Sequence, residues 1–350
     1  MTKPSVHEVL ATLCPRSVSR RELPRNLAQP DLHLFQHEFE RPIPESRLLK
    51  LKNVKVSAEG LLFKGTQLLP ESFAYDFGLR EWRRHDIWRF LLKNHLFRKR
   101  RKIERPVLWI TDYWSTGYFH WLTDALTRLL VARDQLDEVT LLLPAELATR
   151  DFVKSSLEAF GVKQMDSVRA GEFVECRSLL LPTHTAPSGH FRDETIHAVR
   201  STLLSAFGDH NYAGEGERIY ISRSVAGRRR IIDEEQLMPV LKSFDFQIVR
   251  AEDLSFAAQV SLFSRARYVV SNHGAGLTNM LFMPAGGSVL ELRHAADYVN
   301  NCYFIMASAL KLNYYYQLCR PGTVQADPHA ADLLVSVAEL TNNLAQLVAT

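Results

Sequence analysis

The chain has 350 residues, enough for two domains of ordinary size with one core each. Hydrophobic residues make up 46% and charged residues 23%, with a mean hydropathy of -0.14, which excludes wholesale disorder, collagen-like repeats and coiled coils. A formal charge of +4 is too small to make nucleic acid the leading partner, yet it suits anionic ligands or membrane surfaces.

No apolar stretch approaches the roughly 20 residues of a membrane span. The amino terminus, with an early proline and with His7 and Glu8 inside its only apolar stretch, lacks the unbroken core of a secretory signal. The expectation is a cytoplasmic protein. Cys14, Cys176, Cys302 and Cys319 are scattered without metal-ligand spacing, so reduced thiols and no metal site are expected.

In chain order, the first hundred residues predict a strand-rich start, with short apolar pieces at Leu48–Leu51 and Leu61–Phe63. The run Arg98, Lys99, Arg100, Arg101, Lys102 is read as a solvated charged face or as a contact to an anionic membrane at the inner leaflet. Val107–Thr111 predicts a strand, and Tyr118–Arg133 has apolar residues at helical spacing. Val139–Leu143 and Arg177–Leu181 are buried-type strands stopped by prolines, with a helix over 145–160 between them. Asp193–Phe207 predicts another helix. A domain boundary is expected at 208/209, giving an acceptor-side α/β domain over 1–208 and a donor-side domain over 209–329. The second domain predicts strands at 218–222, 246–249, 267–271 and 288–292. Helices are expected at 234–243, 255–264, 274–283 and 298–310. The terminal helix, 330–350, is expected to pack back on the first domain.

Four stretches carry chemistry. In Tyr268–Asn279 a buried strand runs into His273, Gly274, Ala275 and Gly276 and then a helix, a junction that suits an anion at the carboxyl end of a parallel strand. The two glycines also fit a plain tight turn; His273 and Asn279 supply possible side-chain donors. In Arg218–Arg230 a strand ends at Arg223 before an arginine-rich loop, where Arg223 and Arg230 suit diphosphate oxygens and Arg228 and Arg229 read as solvated. Asp233 and Glu234 cap the following helix or touch a ligand. Glu291 ends a strand among apolar neighbours, as a ribose acceptor or as an outward edge residue. His120, Asp124 and Arg128 fall near one helical face after the loop Asp112–Trp114, either as a base with its orienter or as a core histidine with its aspartate. The aromatic cluster Tyr314–Tyr316 reads as cover on a strand.

The series RIYISR, RRRIIDEE and SFAAQVSLFSRARYVVSNHGAGLTNMLFMPAGGSVLEL, with YFHWLTDALTRL upstream, resembles glycosyltransferase family 61, the group with the DUF563 domain, over about residues 107–293. It looks most like its bacterial capsular-polysaccharide members. The resemblance implies an α/β fold of GT-B type, two Rossmann-like domains facing a central cleft. It also implies a nucleotide-sugar donor, UDP-linked, inversion at the anomeric carbon, a glycan or lipid-linked glycan acceptor and no obligatory metal. Hexosyl, pentosyl and N-acetylhexosaminyl transfer all fit. On the matching positions it implies that Arg223, Arg230, His273, Gly274, Ala275 and Gly276 face the diphosphate, with Asn279 and Glu291 near the nucleotide. It implies His120 and Asp124 as the catalytic pair, with Arg128, Glu234 and Trp114 as further acceptor or donor contacts. The family often has Asn-Glu where this chain has Asp233-Glu234. Two classes compete with a transferase. A dehydrogenase would need a GxGxxG after an early strand, which is absent, and a non-catalytic nucleotide- or glycan-binding scaffold would keep the fold without turnover.

Overall fold

A computed structural model describes residues 7–74, 87, 89–90, 92, 99–209, 216–323 and 330–349. The chain divides into two compact units, one of residues 1–17 and 42–199, the other of residues 18–41 and 200–350.

Unit 1 is built on a mixed sheet. After β1 (His7–Cys14), the chain passes to unit 2 through β2 (Ser17–Arg20) and the one-turn helix α1 (Leu32–Phe35), and returns along β3 (Glu40–Ile43). Then follow β4 (Ser46–Ser57), β5 (Leu62–Lys64), β6 (Gln67–Leu68), β7 (Lys99–Ile103) and β8 (Val107–Leu108). A broken helix comes next: α2 (Tyr118–His120), a π-helical turn at Trp121–Ala125, and α3 (Leu126–Val131). The unit closes with β9 (Thr140–Pro144), α4 (Ala145–Ala148), α5 (Asp151–Ala159), β10 (Met165–Val168) and β11 (Glu172–Pro182). The strand order is β10-β9-β8-β11-β4-β5-β6. The first four strands run parallel, whereas β11 and β4 pair antiparallel over most of their length.

The expectation of parallel α/β units therefore holds for half of this sheet. The other half is an antiparallel meander, because the short links after β4 and β5 leave no room for a crossover helix. Leu51, Val54, Val56, Trp109, Leu142, Val174 and Leu179 form its core. On β7 the basic run alternates across the strand. Arg101 is half-buried and bonds Asp166 at 2.7 Å and Glu172 at 2.9 Å, which removes it from any exposed basic patch; Arg98 lies outside the described residues.

The boundary falls inside helix α6 (Asp193–Phe207), before the expected 208/209. Unit 2 continues with β12 (Arg218–Ile221), α7 (Met238–Ser243), β13 (Gln247–Val249), α8 (Phe256–Ser264), β14 (Tyr268–Asn272), β15 (Ser288–His294), α9 (Cys302–Ala309), β16 (Asn313–Pro321), β17 (Leu333–Leu334) and α10 (Val337–Val348). Its sheet order is β13-β12-β14-β15-β16-β17, parallel up to β16. That is a doubly wound sheet whose order reverses between β12 and β14, where ligands bind outside the strand ends. Near-continuous burial along β14 and β15 follows from cover on both faces.

Helix α10 belongs to this unit, which corrects the expected packing on the first domain. Leu340, Leu344 and Leu347 present one face to Tyr220, Leu290, Leu292 and Cys319, each worth about 1.5–3 kcal/mol when removed from water. Its start is fixed by Ser336, whose hydroxyl accepts from the Glu339 N–H, in the spacing of a capping box. Residues 18–41 join unit 2 through Phe35, which meets Phe304 and Tyr316 at ring distances of 5.1 and 4.9 Å. Their composition carries no sign of that allegiance. All four cysteines are buried free thiols, and no helix among the described residues is long and apolar enough to cross a membrane.

Candidate active site

The carboxyl ends of β8 and β11 lie side by side in unit 1, and each feeds a loop that carries polar side chains. After β8 the chain makes an Asx turn at Asp112: the Asp112 carboxylate accepts from the Trp114 N–H at 2.9 Å, and the Asp112 N–H donates to Ser115 Oγ. Gly60 packs on the Asp112 carbonyl with φ +85°, and a Cβ there would sit 2.8 Å from that oxygen, so only glycine fits both demands.

The helix that follows is irregular where its polar face lies. His120 Nδ1 is 2.8 Å from Asp124 Oδ2, bridging the π turn, an insertion common at functional sites. Ser188, from the loop after β11, donates to the same Asp124 oxygen at 2.6 Å. Asp124 is buried at 4% exposure and His120 keeps 23% of its side chain exposed, so the imidazole, not the carboxylate, faces solvent. With Nδ1–H on the carboxylate, Nε2 carries the lone pair. Burial alone would lower the His120 pKa, but the Asp124 hydrogen bond and charge, with the charge of Asp112, outweigh it and raise it.

Arg128 is wholly buried. Its Nε donates to the Pro182 carbonyl at 2.7 Å, and its Nη1, buried without a hydrogen bond, lies 3.6 Å from Asp112 Oδ2, so it braces the loop. His184 Nε2 is 3.0 Å from the same Asp112 oxygen. Burial would raise Asp112, but His184, Arg128 and the Trp114 N–H hold its pKa down at about 2. Trp114 is half-buried, its ring 5.3 Å from that of His120. Sequence reasoning passed over His184 and Ser188; the available signal was polar residues just past the end of a parallel strand.

In unit 2, Arg223 follows β12 and His273-Gly274 follow β14, the two strands at the reversal point. The Arg223 guanidinium lies on the Gly274 Cα, where a Cβ would be 2.5 Å from Nη1. It is fixed by backbone oxygens, Nε donating to Arg229 O at 3.4 Å and Nη2 to Arg228 O at 3.2 Å. Burial, and then the charge of Arg229, lower the Arg223 pKa. Arg229 itself adopts φ +57°, its Nε buried without a hydrogen bond. Among the described residues neither guanidinium has a carboxylate within ion-pair distance, and the charge of Glu252 acts on Arg223 more weakly than that of Arg229.

The other expected residues fall in different places. Arg230 is exposed and paired with Asp332 at 3.2 Å, and it lines the same depression as Ser222 and Glu234. Asn279 is fully buried and donates to Gln259 Oε1 at 2.9 Å, which withdraws it from any nucleotide. Ala275 and Gly276 open a 3-10 segment, Ala275–Phe282, and Gly276 packs on Ile221. Glu291 is completely enclosed, bonded to His273 Nδ1 and Tyr314 Oη, and has no face left for a ribose. Glu234 accepts from Tyr220 Oη at 2.6 Å and Ser222 Oγ at 2.8 Å. It lines an open depression of about 810 Å³ with Ser222, Arg230, Asp233, Arg250 and Asp332. Among the described residues no group of three or more histidines, cysteines or carboxylates could hold a metal ion.

Residues 118–290 match the Glycosyltransferase 61 family model. The glycosyltransferase 61 match covers just under half of the chain, from the start of the His120 helix to the residue before Glu291, and takes in His120, Asp124, His184 and Ser188 of unit 1 with Arg223, Arg229 and His273 of unit 2. The chain is 32% identical over 98 residues to the EGF domain-specific O-linked N-acetylglucosamine transferase of Drosophila melanogaster, covering 27% of this chain and 18% of that protein. It is 30% identical over 127 residues to the Bos taurus protein of the same name, covering 32% and 24%. It is 42% identical over 84 residues to the Protein O-linked-mannose beta-1,4-N-acetylglucosaminyltransferase 2 of Xenopus tropicalis, covering 23% and 14%. The chain thus spans less than a quarter of the length of these relatives.

Proposed function

We propose that the chain is an inverting glycosyltransferase of GT-B type that needs no metal and moves a sugar from a UDP-linked donor to a hydroxyl of a glycan or lipid-linked glycan. The observation that carries this reading is the Arg223 guanidinium seated on Gly274 where the parallel sheet reverses, with no carboxylate within ion-pair distance of it or of Arg229 among the described residues. The glycosyltransferase 61 match and relatives named for N-acetylglucosamine transfer support it, and make UDP-N-acetylglucosamine the first donor to test.

The chemistry follows from charge. As the acceptor oxygen attacks the anomeric carbon, negative charge grows on the departing diphosphate, and preorganised cations stabilise it. Arg223 and Arg229 supply that charge from the protein itself. The donor nucleoside would extend from the diphosphate past Ser222 into the depression lined by Glu234. His120 Nε2 takes the proton from the acceptor hydroxyl, and Asp124 holds the ring and balances the imidazolium. Asp124 is then the orienter and His120 the base.

The test is release of UDP from UDP-N-acetylglucosamine with a panel of glycan acceptors, in EDTA, by wild type and His120→Gln. The reading expects turnover that survives EDTA and drops about a hundredfold or more in the variant, the usual scale of general-base catalysis. Full turnover by His120→Gln overturns the assignment of the base, and turnover that requires a divalent cation overturns metal independence. UDP binding without any turnover returns the chain to the scaffold class.

A further inference from the structure

Unit 1 holds a second imidazole that the proton transfer leaves unused. His184, in the loop after β11, sets Nε2 3.0 Å from Asp112 Oδ2. The Asp112 carboxyl, held down at about 2, is ionised at neutral pH and can only accept, so Nε2 carries the hydrogen of that bond. The other nitrogen, Nδ1, has no hydrogen-bond partner among the described residues and is not shut off from solvent; the side chain keeps 19% exposure. His120 is arranged alike, with one nitrogen on a buried carboxylate and the other without a partner among the described residues.

The loop does not need the His184 ring for its shape. Before it, the Thr183 N–H donates to the Arg47 carbonyl and Thr183 Oγ1 accepts from the Arg47 N–H, both at 2.9 Å. After it, Arg192 Nε donates to the Thr185 carbonyl at 2.6 Å. Nor does Asp112 depend on the ring alone, because Arg128 and the Trp114 N–H also face it. What the bond does is fix the ring with one nitrogen inward and one outward.

Three groups are gathered by Asp112. Its carboxylate holds His184 and the Trp114 N–H, and its charge acts on His120. Trp114 is half-buried with its ring 5.3 Å from that of His120, and Tyr113 before it is 44% exposed. Aromatic side chains left partly in solvent beside two hydrogen-bonding nitrogens suit a ligand with an apolar face and several hydroxyls at its edge. A sugar ring has both. The side chain of a serine or threonine offers one hydroxyl and no second group for the other imidazole.

We propose that His184 is an acceptor-binding residue: its Nδ1 bonds a second hydroxyl of the acceptor while His120 takes the proton from the first, so that the acceptor is a sugar with a hydroxyl beside the one attacked and not a lone side-chain hydroxyl. The contact does not depend on the charge of the ring, because a hydroxyl both donates and accepts. It rests on the reading of His120 as the base of a sugar transfer.

The experiment measures initial rates of the full chain with UDP-N-acetylglucosamine as donor. The acceptors are the methyl glycosides of glucose, galactose, mannose and N-acetylglucosamine, their monodeoxy analogues, and a serine peptide. In wild type, removing the hydroxyl beside the one attacked is expected to cut kcat/KM about tenfold. The serine peptide is expected to react roughly a hundredfold or more less well than the best glycoside. In His184→Ala the intact glycoside falls by about the same tenfold through its KM, the deoxy analogue falls no further, and the donor KM is unchanged. His184→Gln, which keeps a donor for Asp112, carries the same comparison should the alanine variant fail to fold.

Four results overturn the inference and leave the transferase reading standing: a wild type indifferent to deoxygenation, equal losses on deoxygenation in wild type and variant, a serine peptide that reacts as well as the best glycoside, or a variant that loses kcat with its acceptor KM unchanged. No turnover of any acceptor by wild type removes that reading and the inference together.

Discussion

Gly274→Ala separates the role of the Gly274 turn in ligand binding from its role in folding. The backbone at Gly274 has φ 168°, extended geometry open to any residue, so alanine adds no backbone strain. Its Cβ would stand 2.5 Å from Arg223 Nη1 and 2.7 Å from Cζ. Contacts of this kind settle near 3.5–4.0 Å, so the guanidinium must withdraw by about 1 Å or more. It can, because it is the end of a flexible side chain held by two carbonyls at 3.2 and 3.4 Å. A phosphate oxygen formerly within bonding range then lies beyond it, at a loss of about 1.5–3 kcal/mol for a charge-assisted bond. That is roughly a 10- to 150-fold rise in the UDP dissociation constant. The assay pairs UDP titration with thermal unfolding of the ligand-free protein, whose midpoint should move little. Undiminished UDP affinity in Gly274→Ala would refute the placement of Arg223 at the diphosphate. Weak binding together with a large fall in the unfolding midpoint would refute the claim that the turn tolerates a Cβ.

Two other predictions follow from the unit 1 cluster. The His120 pKa is raised, so the base is charged at low pH and the acidic limb of kcat/KM should lie above pH 6.5; in Asp124→Asn only the Asp112 charge still opposes burial, so the limb should move to lower pH with at least about a tenfold fall in kcat. A limb unmoved in the pH–rate profile of Asp124→Asn would contradict the pairing. The Asp112 carboxyl is depressed to about 2 in the folded chain, so its contribution, about 2 kcal/mol, is present above pH 4 and lost as pH falls through 2. Urea unfolding should show Asp112→Asn weaker at pH 7 with a flatter decline between pH 4 and 2, and a wild-type slope in the variant would place the acid sensitivity elsewhere.

Much of unit 2 was legible because its signals are local. Continuous apolar runs such as Tyr268–Asn272 and Ser288–His294, separated by amphipathic stretches, identify parallel strands, and the glycine turn after β14 falls where the sheet order reverses. The same logic found the 118–131 helix and its His120–Asp124 pair. What stayed hidden depends on long-range partners. Nothing local distinguishes Arg229 from Arg230; the left-handed backbone at Arg229 and the distant Asp332 decide which guanidinium remains un-neutralised. Glu291 reads as a ligand contact until Tyr314, 23 residues on, is seen to close over it. The terminal helix reads as amphipathic from its leucines, but the pattern cannot say which unit supplies the matching face. The antiparallel half of the first sheet was missed because pairing direction is set by link length and not by strand composition.

The central claim is that the turn holding Arg223, Arg229 and Gly274 binds the diphosphate of a nucleotide without a metal. Its most direct test is the thermal unfolding midpoint of wild type and Arg223→Ala against a panel of nucleoside diphosphates and their sugar conjugates, in EDTA. At a ligand concentration 100 times the dissociation constant, binding adds about 2.7 kcal/mol to the native state, a rise of roughly 5 °C or more. The account predicts that rise with UDP ligands in wild type and its loss in Arg223→Ala. A rise that persists in Arg223→Ala, or none with any nucleotide, would contradict it.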